Sequence, residues 1–326
     1  MSFATIVGQD RVKRLLQNGL KHETLSHAYI FSGPSGSGRR QMALTLAQAV
    51  YCLEMKDDAC GTCLNCRKVA HQNHPDLHWI EPDGASLKIE QIRELQKQFA
   101  YRSTTSQTKV YVLQNADRMT TQAANSLLKF LEEPTSDVLA ILIAENGHAL
   151  LPTIQSRAQW VPFTPLGVQE LSQKLIAEGL SATLVLPAVH IVAGLDAARE
   201  LIQGNWFAEA RNVMIQLVME ALTSYPAALL SIQQKVIKAE WVEHLPIFLD
   251  LSILWFKDMV HFICGREDSM IYLDRIDWIR QHAFSREIQY WVACMEHTIE
   301  LQKRLRFNAN AQLAMEKWII DIQRGD

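Results

Sequence analysis

The stretch HAYIFSGPSGSGRR, residues 27–40, sets a short aliphatic and aromatic run against three glycines and two arginines. A buried strand followed at once by a glycine-rich turn and a helix start can cradle phosphate, because backbone N–H groups converge at the helix N-terminus. Loops that support nucleotide hydrolysis read G-x-x-x-x-G-K-[ST], with lysine on the phosphates and the hydroxyl on magnesium. Here Gly33, Gly36 and Gly38 are kept, but Arg39 stands where lysine belongs and Arg40 where the hydroxyl belongs. Arg39 keeps a positive charge as a planar fork rather than a compact ammonium. Arg40 cannot ligate magnesium as an oxygen does.

The other half of such a site is an acidic residue at the end of a hydrophobic strand, where it holds the metal. The apolar strand KVYVL (109–113) runs instead into the amides Gln114 and Asn115, then Ala116 and Asp117. Asp117 is expected to lie too far along and to face away. With both metal-holding elements missing, no hydrolysis is expected. The loop is left either as an anion-binding turn without catalysis or as a plain glycine turn between strand and helix.

Working outward, the first half of the chain alternates strand-like and helix-like stretches. Candidate strands are 28–32, 77–80, 109–114, 138–144 and 159–163, each short and rich in β-branched, aromatic or aliphatic residues. Helical stretches are expected at 8–21, 39–53, 89–99 and 120–132. This alternation predicts an α/β domain with a parallel sheet covered on both faces by helices. Pro162 and Pro165 close the block, and shorter helices follow around 167–179, 181–193 and 195–203. From about 205 the pattern is helical throughout, as in Ile288, Trp291, Val292 and Met295. The fold class is therefore α/β followed by all-α. Expected domains are 1–164, a small helical domain at 165–204 and a helical domain at 205–326.

A chain of 326 residues, 48% hydrophobic and 21% charged, has the composition of an ordinary globular protein with a full core. Its net charge of −3 comes without an acidic or basic tail, so contact with nucleic acid would need a local patch. The polar start MSFATIVGQDRVKRLL argues against a secretory leader. In the most apolar stretch, 245–264, Asp250, Lys257, Asp258 and His261 interrupt the run, which reads as a buried helix rather than a membrane span. A cytoplasmic protein is expected.

Four of the six cysteines, Cys52, Cys60, Cys63 and Cys66, form a C-x7-C-x2-C-x2-C array. Two-residue spacings let neighbouring thiolates converge on one ion, and four thiolates complete the tetrahedral shell of a structural Zn2+. An iron–sulfur cluster is the alternative ligand, and four unliganded cysteines are the plainest reading. His71, His74 and His78 are expected at the surface or as helix caps, and Cys264 and Cys294 as small core side chains.

These residues, taken together, resemble the delta-prime family of bacterial DNA polymerase III clamp-loader subunits, within the AAA+ superfamily. The likeness is carried by HAYIFSGPSGSGRR, the four-cysteine insertion with HPD at 74–76 after it, and ANSLLKFLEEP (124–134). LLPTIQSRAQ (150–159) and NANAQLAMEKWI (308–319) extend it along nearly the whole chain. The resemblance implies a non-catalytic subunit that completes a five-membered ring with delta and the ATP-hydrolysing gamma or tau subunits. The ring loads a sliding clamp onto primer-template DNA, as part of a DNA-directed DNA polymerase holoenzyme. It further implies that Arg157, in Ser156-Arg157-Ala158 where the family has Ser-Arg-Cys, is offered to the ATP site of a neighbouring subunit. The plainer reading of Arg157 is a surface cation paired with a nearby carboxylate. Glu132 and Glu133 read as a solvated helix end or, by the family motif, as subunit contacts. The structural role is the expected one.

Asn146 reads either as a γ-phosphate sensor or as a turn residue. Ala197 falls where a second sensor arginine would stand, with Arg199 two positions on. For DNA the candidates are thin: Arg102, Lys109 and Lys129, with Lys303, Arg304 and Arg306 read as a solvated helix face. An active ATPase motor of the gamma or tau kind would need lysine at 39, a hydroxyl at 40 and acids at 114–115. A zinc hydrolase would need an open metal position that four thiolates do not leave.

Overall fold

The computed structural model describes residues 2–100, 108–132, 137–236, 242–307 and 309–324. Packing divides the chain into two compact units, Met1–Glu170 and Leu171–Asp326. The first contains α1 (Asp10–Lys21), β1 (Ala28–Ser32), α2 (Arg39–Val50), α3 (Leu64–Ala70), β2 (Leu77–Ile80) and α4 (Ile89–Ala100). It continues through β3 (Lys109–Leu113), α5 (Thr121–Glu132), β4 (Val138–Ala144), the short α6 (Pro152–Gln155) and β5 (Gln159–Pro162). The five strands form one sheet in the order β2-β3-β4-β1-β5, and every pairing is parallel. Register is set by Ala28 opposite Ala140, Tyr29 opposite Gln159, Lys109 opposite Val138 and Leu77 opposite Val110.

Parallel neighbours need long crossovers, and the crossover helices cover both faces of the sheet. Strand side chains alternate between two cores. Tyr29, Phe31, Val110, Val112, Leu139 and Ile141 pack with Leu16, Met42 and Leu46 on one face. Ile30, Tyr111, Leu113, Ala140 and Leu142 pack with Ile92, Leu95, Leu127 and Leu131 on the other. With both faces buried, the strands read as unbroken apolar runs, and their positions match the sequence reading to within a residue at the ends.

Beyond β5 the described chain is helical: α7 (Val168–Ala177), α8 (Ala182–Ile191), α9 (Leu195–Gln203), α10 (Asn205–Thr223), α11 (Tyr225–Ser231), α12 (Leu245–Ile263), α13 (Ile276–His282), α14 (Ile288–Arg306) and α15 (Ala311–Arg324). Helices expected on either side of residue 204 share the second unit, where α8 packs on both α9 and α12. Trp255, Trp291, Trp318, Phe248 and Phe256 are fully buried there. No described helix is long and apolar enough to cross a membrane. One expectation fails here: Cys264 sits just past the end of α12 and is exposed, because the apolar face ends with the helix, whereas Cys294 is buried as expected.

A buried carboxylate holds this unit together locally. Asp258 on α12 is fully buried, and it accepts from the backbone N–H groups of Ile271 (2.9 Å) and Tyr272 (2.7 Å). Tyr272 returns the contact by donating its hydroxyl to the Leu251 carbonyl at 2.8 Å. Burial pushes the Asp258 carboxyl up to about 6, against the N–H bonds that favour its charged form. The folded chain thus holds this proton more tightly than the unfolded chain does. The contribution of this group to stability is fully present below about pH 4 and falls as pH rises to about 6. Replacing Asp258 with Asn should remove that slope from the pH dependence of unfolding. Asp258→Ala strands two buried N–H groups and should cost about 1–3 kcal/mol at neutral pH, read as a lower urea midpoint of the helical unit.

Candidate functional site

All five strands point their C-terminal ends at one edge, and the glycine loop leaves β1 there, between the ends of β4 and β5. Gly33 is needed by packing alone, since a Cβ there would lie 2.3 Å from the Phe163 carbonyl oxygen. Gly38, at φ 86°, caps α2 in the left-handed region and lets the chain enter the helix. Gly36 also has positive φ, at 72°. The loop therefore turns tightly into the N-terminus of α2, with Gly36 and Gly38 in conformations that favour glycine.

The two arginines behave differently. Arg39 is only 8% exposed, and its Nη1 has no hydrogen-bond partner among the described residues. Burial lowers its pKa, while the charges of Glu145 and Asp117 oppose that shift. Arg40 is half exposed and spans the corner between the loop helix and the ends of β2 and β3. Its Nε donates to Gln114 Oε1 at 3.1 Å, its Nη2 to Glu81 Oε1 at 3.2 Å, and its guanidinium lies 5.1 Å from the Trp79 ring centroid. Trp79 Nε1 lies within donating distance of the same two oxygens, at 3.1 and 3.3 Å. A cation thus spans the loop helix and the residue after β3, the two elements that hold magnesium in phosphate-loop hydrolases.

Asp117 corrects an expectation. It does not face away: its Oδ2 accepts from the backbone N–H groups of Glu145 (3.2 Å) and Asn146 (3.1 Å), tying the turn after β3 to the turn after β4. Asn146 acts locally as a turn residue, its side chain accepting from His148 N at 3.1 Å. Trp79, Glu81 and Asp117 were missed as site residues. The available signal was their position, just at or after the C-terminal ends of parallel strands.

Arg157 lies in the turn between α6 and β5. Its Nη2 makes a 2.7 Å ion pair with Glu132, the last residue of α5, and its Nη1 donates to the Thr153 carbonyl (3.0 Å) and to Ser156 Oγ (3.3 Å). Glu133 lies outside the described residues. Ala197 is exposed, and Arg199 is held by Glu178 (3.0 Å) and Asp196 (2.7 Å). Of the candidate DNA contacts, Arg102 is outside the described residues and Lys129 is exposed. Lys109, only 3% exposed at the start of β3, is not available to a phosphate backbone.

The four cysteines meet. The sulfurs of Cys52, Cys60, Cys63 and Cys66 all lie within 4.8 Å of one another, and Cys60 and Cys66 are 3.8 Å apart. Zinc–sulfur bonds of about 2.3 Å place sulfurs about 3.8 Å apart at the corners of a tetrahedron. Backbone N–H groups point at the sulfurs: Met55 at Cys52 (3.3 Å), Cys63 at Cys60 (3.3 Å) and Cys66 at Cys63 (3.4 Å). The N–H of Cys63 leads the causes that lower the Cys60 thiol to about 6, whereas burial pushes Cys66 up. The geometry and donor set fit a four-coordinate metal ion with no open position.

The module is tied to the sheet domain by Gln48 Nε2 donating to the Cys66 carbonyl (2.8 Å). Asp58 accepts from Ser2 Oγ (2.5 Å) and Phe3 N (2.9 Å). His71 caps α3, and His78 is half-buried in β2. His74 is buried rather than exposed, because its ring stacks on Tyr51 at 3.9 Å and its Nδ1 accepts from Asp76 N.

A doubly wound parallel sheet with a phosphate-type loop after β1, followed by a helical unit, is the build of an AAA+ protein. A family model described as DNA polymerase III, delta subunit, matches residues 8–167. The DNA polymerase III subunit delta' of Bacillus subtilis is 37% identical over 97% of this chain and 97% of that protein. The delta' subunit of Pseudomonas aeruginosa is 28% identical over 90% of this chain and 91% of its own length. By contrast, the tau subunit of B. subtilis aligns at 33% identity over 52% of this chain and 30% of that protein. The chain belongs to the family of DNA polymerase III delta' subunits.

Metal analysis of the purified chain should find about one tightly held ion per molecule, lost in Cys66→Ser. In the native chain a thiol reagent should label the exposed Cys264 first. The four clustered thiols should become reactive only after chelation, as read by mass spectrometry.

Proposed function

We propose that this chain is the non-hydrolysing delta' subunit of a bacterial clamp loader, which loads a sliding clamp onto primer-template DNA. It would assemble in the cytoplasm with delta and gamma or tau subunits in a five-membered ring. Residues 1–164 are its AAA+ domain, 165–204 a small helical domain and 205–326 the collar through which it assembles. The zinc ion at Cys52, Cys60, Cys63 and Cys66 is structural, because four thiolates leave no position for substrate.

The observation that carries this reading is Arg40. Magnesium would have to sit between the loop helix and the residue after β3, where Arg40 instead bonds Gln114 and Glu81. A fixed guanidinium there repels a divalent cation, and an amide supplies no metal-holding charge. Removing the metal removes the main means of neutralising charge as a phosphoanhydride breaks. Gly33, Gly36, Gly38 and Arg39 then serve as a structural turn that retains the shape of a nucleotide site. The alignments also favour this assignment over an ATP-hydrolysing gamma or tau subunit, because they span the delta' relatives end to end.

What the chain contributes to catalysis is Arg157, offered in trans to the nucleotide of a neighbouring motor subunit. A guanidinium beside a terminal phosphate stabilises charge that builds up during transfer.

The purified chain should release no inorganic phosphate from Mg-ATP above the buffer rate. In the assembled complex Arg157→Ala should slow turnover at the site it serves by about 10³-fold while assembly persists. Magnesium-dependent hydrolysis by the chain alone would end the first claim. Unchanged turnover in the assembled variant would end the second.

A further inference from the structure

Glu132 is the last described residue of α5 and carries a partly exposed carboxylate. Its partner is Arg157: Glu132 Oε1 lies 2.7 Å from Arg157 Nη2. The same guanidinium is held from the other side by two oxygens of its own turn. Thr153 O accepts from Nη1 at 3.0 Å, and Ser156 Oγ accepts from it at 3.3 Å while donating to Thr153 O at 3.0 Å.

A guanidinium has five N–H donors. Nη1 donates to both of these oxygens, and Nη2 stands in an ion pair with Glu132. The Nε–H makes no hydrogen bond among the described residues, and the side chain is 38% exposed. A half-exposed guanidinium with donors to spare is the group that takes a phosphate oxygen through charge-assisted hydrogen bonds.

We propose that Glu132 is a positioning residue for Arg157: with the Thr153 carbonyl and Ser156 it anchors the guanidinium so that its remaining N–H groups are presented to the terminal phosphate of a nucleotide held by the neighbouring subunit. This rests on the reading of Arg157 as a trans-acting arginine. An arginine side chain gives up considerable rotamer freedom when it is fixed. An anchor made before the neighbour arrives removes that cost from the catalytic step. The carboxylate also replaces the water that would otherwise solvate an exposed cation.

The test uses the assembled complex with its motor subunits, comparing kcat and KM for ATP across Glu132→Ala, Glu132→Gln, Arg157→Ala and the double variant. Assembly is checked by gel filtration. Glu132→Ala should lower kcat by about 10- to 100-fold with KM for ATP unchanged. Glu132→Gln should recover part of that loss, since its amide oxygen keeps a polar contact at Nη2 without the charge. The double variant should be no slower than Arg157→Ala alone, because Glu132 acts only through that side chain. If Arg157→Ala slows the complex and Glu132→Ala does not, the positioning role is wrong and the trans-acting arginine stands. A faster Glu132→Ala complex also overturns it, by making the ion pair a competitor of the phosphate. If neither variant changes turnover, the underlying reading of Arg157 fails.

Discussion

Parallel pairing of five strands buried on both faces is the constraint from which the rest of the first unit follows. It forces helical crossovers and places every strand's C-terminal end on one edge. On that edge the chain has no freedom to scatter its polar groups. The turns after β1, β2, β3 and β4 are brought together whether or not a ligand is to be bound. Gly33 illustrates the point, since the close approach of Phe163 demands a glycine there independently of any phosphate.

On such an edge converging charges must be compensated, whether or not a ligand is bound. Arg40, Gln114, Glu81 and Trp79 form one connected group in which a cation, an amide, a carboxylate and an indole each serve two contacts. Arg39 is balanced more loosely, through the nearby charges of Asp117 and Glu145. The two arginines are thus coherent with their surroundings. Restoring a lysine and a hydroxyl in the loop would leave Glu81 without its cation and still provide no carboxylate at 114.

The cysteine module meets a different difficulty. A segment as short as 52–66 cannot bury enough apolar surface to hold itself folded, and a metal bound by the four thiolates would supply the missing cross-links. Its anchorage to the sheet domain is polar, through Asp58 to Ser2 and Phe3 and through Gln48 to Cys66. Behind it, the Tyr51–His74 stack and the bond from the Tyr51 hydroxyl to the Asp76 carbonyl (2.7 Å) pin the start of β2. The HPD segment is accordingly part of the scaffold.

Patterns local in the chain were legible from residue order. Unbroken apolar runs marked the strands, glycines with two arginines marked a phosphate loop without its metal oxygens, and cysteine spacing marked a closed ligand set. These are short-range properties, set by side-chain period, backbone sterics and the reach of two-residue loops. What only the tertiary structure decided were the partners of charged and polar side chains. Asp117 turned inward, Lys109 and His74 were buried, Glu81 joined Arg40 across 41 positions and Glu132 joined Arg157 across 25. The physical reason is that such pairs are formed by strand order and crossover geometry, which bring together residues whose separation along the chain carries no periodic signal.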